Sequence, residues 1–317
     1  MATILEAPPP AVASEQQSLA GSLDATIPSK HDGNLLIGTW NIRRFGNLTR
    51  DWGTSGNDYS PKRDLRSLLS IASIISRFDV CAVQEVGSNL RALRDMMKYL
   101  GDRWAFIMTD VTRGKKGNSE RLAYIFDTDR VQLSGLACEL VLPPEVLGDP
   151  SNISKQFART PYAVSFRAGS ETFILVTAHI LYGDSSQERV PELEAIAEWM
   201  AEWAKSSKRF HHNLILLGDF NIDRKGDPLW DAFSSTGLVV PDALNRVPRS
   251  IFHAGKDDKF YDQIAWFTRS KKAQLNMSFL DAGNFDFVPI LYPSLTRQQL
   301  SHRISDHYPL WAEFARR

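Results

Sequence analysis

Asp219 and Asn221 stand two residues apart at the end of an apolar run, in "LLGDFNID" at residues 216–223. Side chains alternate between the faces of an extended chain, so these two share one face and Phe220 takes the other. Phe220 can then enter a core while a carboxylate and an amide look into a cleft. The pattern recurs along the chain. "IGTWNI" delivers Asn41, "CAVQEV" Glu85 and "ILVTAHI" His179, while "FYDQIAWF" opens on Asp262 and "RISDHYPLW" on Asp306 and His307. Glu85 sits among apolar neighbours and requires a cation or a donor, because an unpaired buried carboxylate is costly.

Together these are hard oxygen donors, amides and histidines without a sulfur ligand. Such a set favours Mg²⁺ or Mn²⁺, with Ca²⁺ as a further candidate, over Zn²⁺. Histidines with spare carboxylates suit proton transfer near neutral pH, since a carboxylate orients the ring and stabilises its charged form. A cation, acid–base pairs and amide donors describe hydrolysis of a phosphate ester. A serine-hydrolase reading of Ser305, Asp306 and His307 fails. Adjacent strand residues point to opposite faces, and no G-x-S-x-G elbow occurs.

The elements that must hold these groups read as follows. "NLLIGTWNI" is a strand, and Ser60-Pro61 starts a helix with an apolar stripe at Leu65, Leu68, Leu69, Ala72 and Ile75. "DVCAVQEV" is the next strand, followed by a helix over "NLRALRDMMKYL" that Gly101 closes. "WAFIMTD" and "RLAYIFD" form a hairpin with a basic tip, Arg113 to Lys116, and "PYAVSFRAG" and "TFILVTAHI" form another. A long helix carries Trp199 and Trp203 on its core side. Further strands lie at "NLILLGDFNI", "YDQIAWF" and "ISDHYPLWAEF", with a short helix near "DPLWDAFSSTG". Strands arrive as hairpins as often as through helical crossovers. That predicts mixed, mostly antiparallel sheets with helices outside, not a doubly wound parallel sheet.

The 317 residues and 43% hydrophobic content suffice for one large α/β domain, expected over 34–317. Residues 1–33, rich in Ala, Pro and Ser, read as a disordered tail. Basic and acidic residues balance at 37 each, so a polyanion would be gripped by a local groove and not by a global field. Cys81 and Cys138 form no disulfide framework. No signal peptide and no membrane-spanning run are seen, so the cytoplasm is the expected compartment, with no obligatory protein partner evident.

The ordered set "GTWNIRRFG", "VQEV", "AHILYG", "LLGDFNID", "YDQIAWF" and "ISDHYPLWAEF" resembles the endonuclease/exonuclease/phosphatase superfamily from Asn34 to Phe314. "NIRRFG", "QFARTP", "NFDFV" and "ISDHYP" are similar to pancreatic-type deoxyribonucleases in particular. The resemblance implies a four-layer α/β sandwich, with two mixed sheets packed face to face and helices outside. It implies Glu85 as principal metal ligand, assisted by Asn41 and Asp306. His179 would pair with Glu120, and His307 with Asp262, as acid and base on opposite sides of the phosphorus. Asp219 and Asn221 would contact the scissile phosphate or a second cation site, and Arg43 and Arg159 would hold phosphate oxygens.

The departures matter as much. The deoxyribonucleases carry an arginine after the metal-binding glutamate and a tyrosine before the His-pairing glutamate, both entering the minor groove; here those places fall on Gly87 and Asn118. The basic tip, or the loop with Arg50 and Trp52, is a candidate substitute through phosphate contact and stacking. The family's disulfide is absent, and Arg43 stands where abasic-site endonucleases have an aspartate. The expectation is a metal-dependent phosphodiesterase of nuclease type, with nucleic acid as substrate. The alternative is a phosphoesterase acting on a small or lipid substrate, sphingomyelinase-like or inositol-phosphate-phosphatase-like. A non-catalytic scaffold is disfavoured, since each core position holds a chemically competent residue.

Overall fold

The computed structural model describes residues 2–53, 63–113, 117–141, 156–205, 213–252, 259–268 and 275–316. Two six-stranded sheets form the core. The first is built from β1 (Asn34–Phe45), β2 (Val80–Gly87), β3 (Trp104–Met108), β4 (Glu120–Asp127), β11 (Phe279–Asn284) and β12 (Leu310–Ala315), in the order β11-β12-β1-β2-β4-β3. The second has β5 (Gln132–Glu139), β6 (Tyr162–Ala168), β7 (Glu171–His179), β8 (Asn213–Asp219), β9 (Leu238–Val239) and β10 (Asp262–Phe267), in the order β5-β6-β7-β8-β10-β9. Each sheet has a parallel pair at its centre, β1 with β2 and β7 with β8, and antiparallel strands outside it.

A parallel pair needs a crossover, and helices supply both. Helix α2 (Leu65–Ile75) joins β1 to β2, and α4 (Val190–Lys205) joins β7 to β8. Each crossover brings two strand ends to the same edge of its sheet. β1 is buried on both faces. Its Leu35 and Ile37 join Val80, Ala82, Phe166 and Leu175 between the sheets. Leu36, Trp40 and Ile42 pack instead with helical residues such as Leu19, Leu68 and Ile71. Farther along β1 the side chains turn polar: Gln84 Nε2 donates to Thr39 Oγ1 at 3.1 Å and to Thr177 Oγ1 at 2.9 Å, joining the sheets. Helix α3 (Arg91–Leu100) also flanks the first sheet, and Trp199 and Trp203 of α4 pack half-buried against the hydrophobic cluster that includes the second sheet.

One sequence expectation changes. Residues read as a disordered tail contain helix α1 (Pro10–Thr26), with Val12, Leu19 and Leu23 buried. Tertiary contacts hold it where composition suggested disorder: Glu15 forms an ion pair with Arg66, and Gln16 donates to Ser70 Oγ at 2.8 Å. The expected helix start at Ser60-Pro61 lies outside the described residues. α2 runs from Leu65, with Asp64 in extended backbone as its N-cap, accepting from the Ser67 amide at 2.8 Å.

Candidate active site

The edge where the parallel strands end gathers the polar residues. In the second sheet, register sets His179 opposite Asp219 and Asp219 opposite Asp262, so a histidine and two carboxylates stand in one row. In the first sheet, the regular pairing of β1 with β2 breaks between Asn41 and Phe45. There Arg43, Arg44 and Glu85 adopt positive φ values of 21°, 50° and 60°. Backbone strain of this kind persists only where the surroundings over-determine it. Arg63, fully buried, does so here by donating to the carbonyls of Ile42, Arg43, Arg44 and Ile304 at 2.7–3.1 Å. Glu85 is thereby fixed: its Oε1 accepts from Asn41 Nδ2 at 3.1 Å and its Oε2 from the Arg44 amide at 2.9 Å.

Asp219 lies at the centre. Its Oδ2 accepts from Asn41 Nδ2 at 2.9 Å, across the two sheets, and its Oδ1 from the Asn221 amide at 3.0 Å. His179 Nε2 stands 3.5 Å and His307 Nε2 3.8 Å from the same Oδ2. Each ring is held from behind by its own carboxylate. His179 Nδ1 lies 2.5 Å from Glu120 Oε1, and His307 Nδ1 lies 2.7 Å from Asp262 Oδ2. His307 is anchored further, with its amide donating to Ser305 Oγ at 3.0 Å and its carbonyl accepting from Trp40 Nε1 at 2.8 Å. Ser305 Oγ in turn donates to the Asn41 carbonyl at 2.6 Å, tying the β1 end to the segment that carries His307.

The charges follow from this packing. Burial alone would favour the neutral form of every group here. It is outweighed at Asp219, where both histidines, the Asn41 amide and a backbone amide hold the carboxyl below its usual range. Burial likewise opposes charge on His307, but Asp262 and Asp219 keep its pKa well above the ordinary value. His179 is raised too, Glu120 overcoming burial, while Glu120 is lowered against burial by His179 and Arg159. At Asp262 burial wins, pushing the carboxyl up to about 6 against the pull of His307. The packing therefore favours an anionic Asp219 and shifts both flanking rings toward holding a proton.

Of the residues expected from sequence, Asn41, Glu85, Glu120, His179, Asp219, Asn221, Asp262 and His307 are brought into one contact network. Other expectations are modified. Arg159 is buried, forms an ion pair with Glu120 and faces the His179 and Ile180 carbonyls at 3.4 and 3.5 Å. Its guanidinium thus orients Glu120 behind His179. Asn221 Nδ2 donates to the Ile180 carbonyl at 2.7 Å, so this side chain braces the turn after β8. Asp306 joins neither cluster of metal-competent atoms; it faces Arg43 Nη1 at 3.5 Å, and Arg43 also donates to Ser301 Oγ at 2.5 Å. Arg63, Trp40 and Ser305 escaped sequence reading as site residues, since no motif distinguishes a buried arginine that serves carbonyls. Of the basic tip, residues 114–116 lie outside the described residues.

The donor set suits a hard divalent cation. Ligand-capable atoms of Glu85, Glu120 and His179 lie within 4.8 Å of one another, and so do those of Asp219, Asp262 and His307. Asp306 Oδ1 and Asp262 Oδ1 are buried without a hydrogen-bond donor, a condition that calls for a cation or a proton. Beside Glu85 opens a cavity of about 240 Å³, lined by Arg44, Gly87, Asn89, Asn118 and Glu120 among others.

Comparison with known proteins identifies the family and the fold. Residues 38–307 match the family described as Endonuclease/Exonuclease/phosphatase family. A curated deoxyribonuclease from Thioalkalivibrio sp. (strain K90mix) is 26% identical over 299 residues, covering 91% of this chain and 73% of the relative. Deoxyribonuclease-1-like 1 of Rattus norvegicus is 25% identical over 256 residues, 77% of this chain and 73% of its own length. Among solved structures, the mannosyl-6-phosphatase of Bacteroides thetaiotaomicron shares the fold, with a TM-score of 0.59 at 18% identity, covering 88% of this chain and 99% of that one.

Proposed function

The chain belongs to the endonuclease/exonuclease/phosphatase family and is a hydrolase of phosphoester bonds; on that premise we propose that it is a divalent-metal-dependent phosphodiesterase that cleaves nucleic acid internally. The observation that carries this reading is the pair of histidines, each backed by a carboxylate, that meet at Asp219 from opposite sheets. The resemblance to deoxyribonucleases, at 26% and 25% identity, supports the choice of substrate.

Glu85 and Asn41 would hold an ion of the Mg²⁺ or Mn²⁺ class, which when bound offsets the charge that builds on the phosphate oxygens. The rest of the reaction belongs to the chain's own groups. One histidine takes a proton from the attacking water and the other gives one to the leaving oxygen. Glu120 and Asp262 fix the ring tautomers by occupying each Nδ1, leaving each Nε2 toward Asp219 and the cleft. Asp219 keeps both rings aligned and stabilises whichever is cationic.

Supercoiled plasmid DNA incubated with the protein and Mg²⁺ is expected to be nicked. EDTA should abolish nicking and excess Mg²⁺ restore it; intact plasmid together with an uncut single-stranded oligonucleotide would refute the nuclease reading. A second reading rests on the cavity beside Glu85, whose amide and hydroxyl lining suits a hydroxyl-rich phosphomonoester. Phosphate release from sugar phosphates, without plasmid nicking, would select it.

The electrostatics give a further expected result. Asp262→Asn removes the partner that raises the His307 pKa, so that pKa falls. Whether His307 sets the acid limb of the pH–rate profile as a base or the alkaline limb as an acid, that limb moves to lower pH. A limb that stays in place, or rises, would refute control of His307 by Asp262.

A further inference from the structure

A run of aromatic groups leads outward from His307. The Tyr261 ring centroid lies 5.5 Å from the His307 imidazole, with the planes 36° apart. Tyr182 lies beside Tyr261, whose phenol is pushed up by burial and by this neighbour. Tyr182, three residues beyond His179, is 53% exposed, yet it is firmly held. The Arg189 guanidinium carbon sits 4.3 Å from its ring centroid, and Arg189 Nε donates to its carbonyl at 2.6 Å. Arg189 is itself buried and immobilised, donating to the Asn221 carbonyl at 2.7 Å and to Asp223 Oδ2 at 3.0 Å. Lys259 closes the set on Asp223 Oδ1 at 2.7 Å.

We propose that Tyr182 is a stacking platform for an unpaired nucleobase next to the scissile phosphate, so that the preferred substrate is single-stranded nucleic acid. This rests on the nuclease reading above. Every base offers a π-face, and an aromatic side chain fixed beforehand loses little freedom when a base lies on it. The guanidinium behind the ring accounts for its fixation and leaves the opposite side for a ligand. A paired base within a duplex is already stacked and cannot lie on such a ring without being unstacked. Across the cleft, Gly87 and Asn118 offer only short side chains, and a formal net charge of zero supplies no broad field for a duplex backbone. Tyr261 acts here as a positioning residue, linking the platform to His307.

The test uses the full chain with Mn²⁺ or Mg²⁺ and three probes: a thymidine oligonucleotide, an abasic oligonucleotide of the same length, and bis(p-nitrophenyl) phosphate. The parent protein should cleave the thymidine oligomer with the lower KM of the two oligomers. Tyr182→Ala should raise KM for the thymidine oligomer about ten-fold, with little change for the abasic one, and Tyr182→Trp should restore the preference. Equal losses on both oligomers, or a Tyr182→Ala KM equal to that of the parent, would overturn the platform while leaving the nuclease reading intact. Failure of the parent protein on all three probes would overturn the nuclease reading, and the platform with it.

Discussion

His307→Ala and His179→Ala each lower kcat for plasmid nicking by about a thousand-fold, within the usual span for loss of a positioned acid or base. Neither change should unfold the protein. Both rings lie at the mouth of the inter-sheet core, and the backbone of His307 remains fastened by Trp40 and Ser305. KM should move little, because the two rings are assigned to proton transfer and not to substrate binding. The double variant should lose far less than the product of the single losses, since one proton-transfer unit, once broken, cannot be broken again. Circular dichroism spectra that match the parent would confirm that chemistry, not folding, was lost. Activity within ten-fold of the parent for either single variant would remove the acid–base assignment.

Gly218→Ala is expected to cost about 3 kcal/mol or more of stability, the largest loss for one added methyl group among the described glycines. Gly218 adopts φ +140°, a conformation that side-chain-bearing residues rarely occupy. A Cβ placed there meets the Ala178 carbonyl oxygen at 2.1 Å, and both atoms belong to paired strand backbone that cannot swing away. The glycine of "GDFN" is thus demanded by the close approach of β7 and β8, whose ends carry His179 and Asp219. Urea denaturation should show a much lower midpoint, or the variant should fail to accumulate as folded protein. A midpoint within experimental error of the parent would refute the argument.

Much of this was legible in the sequence because the site lies on strands. Alternation placed Asp219 and Asn221 on one face, and polar residues closing apolar runs marked where strands meet the cleft. The hairpins β3–β4 and β6–β7 and the long helix α4 followed from periodicity and turn residues. What escaped was set by contacts across long separations. Helix α1 depends on Glu15 meeting Arg66 and on buried Leu19 and Leu23, which its Ala- and Pro-rich composition does not advertise. The ion pair of buried Arg159 with Glu120 joins segments far apart in the chain and has no local signature. The bend that presents Glu85 depends on Arg63 reaching four carbonyls, an arrangement no local pattern encodes.

The chain of contacts from Thr39 through Gln84 to Thr177 bears on the site above it. Half of the reactive groups ride on one sheet and half on the other, so any slip of one slab past its neighbour would misalign them. Gln84 acts as a dowel just beneath that junction. It also satisfies its own buried amide there, so the junction costs the apolar interior no orphaned polar group.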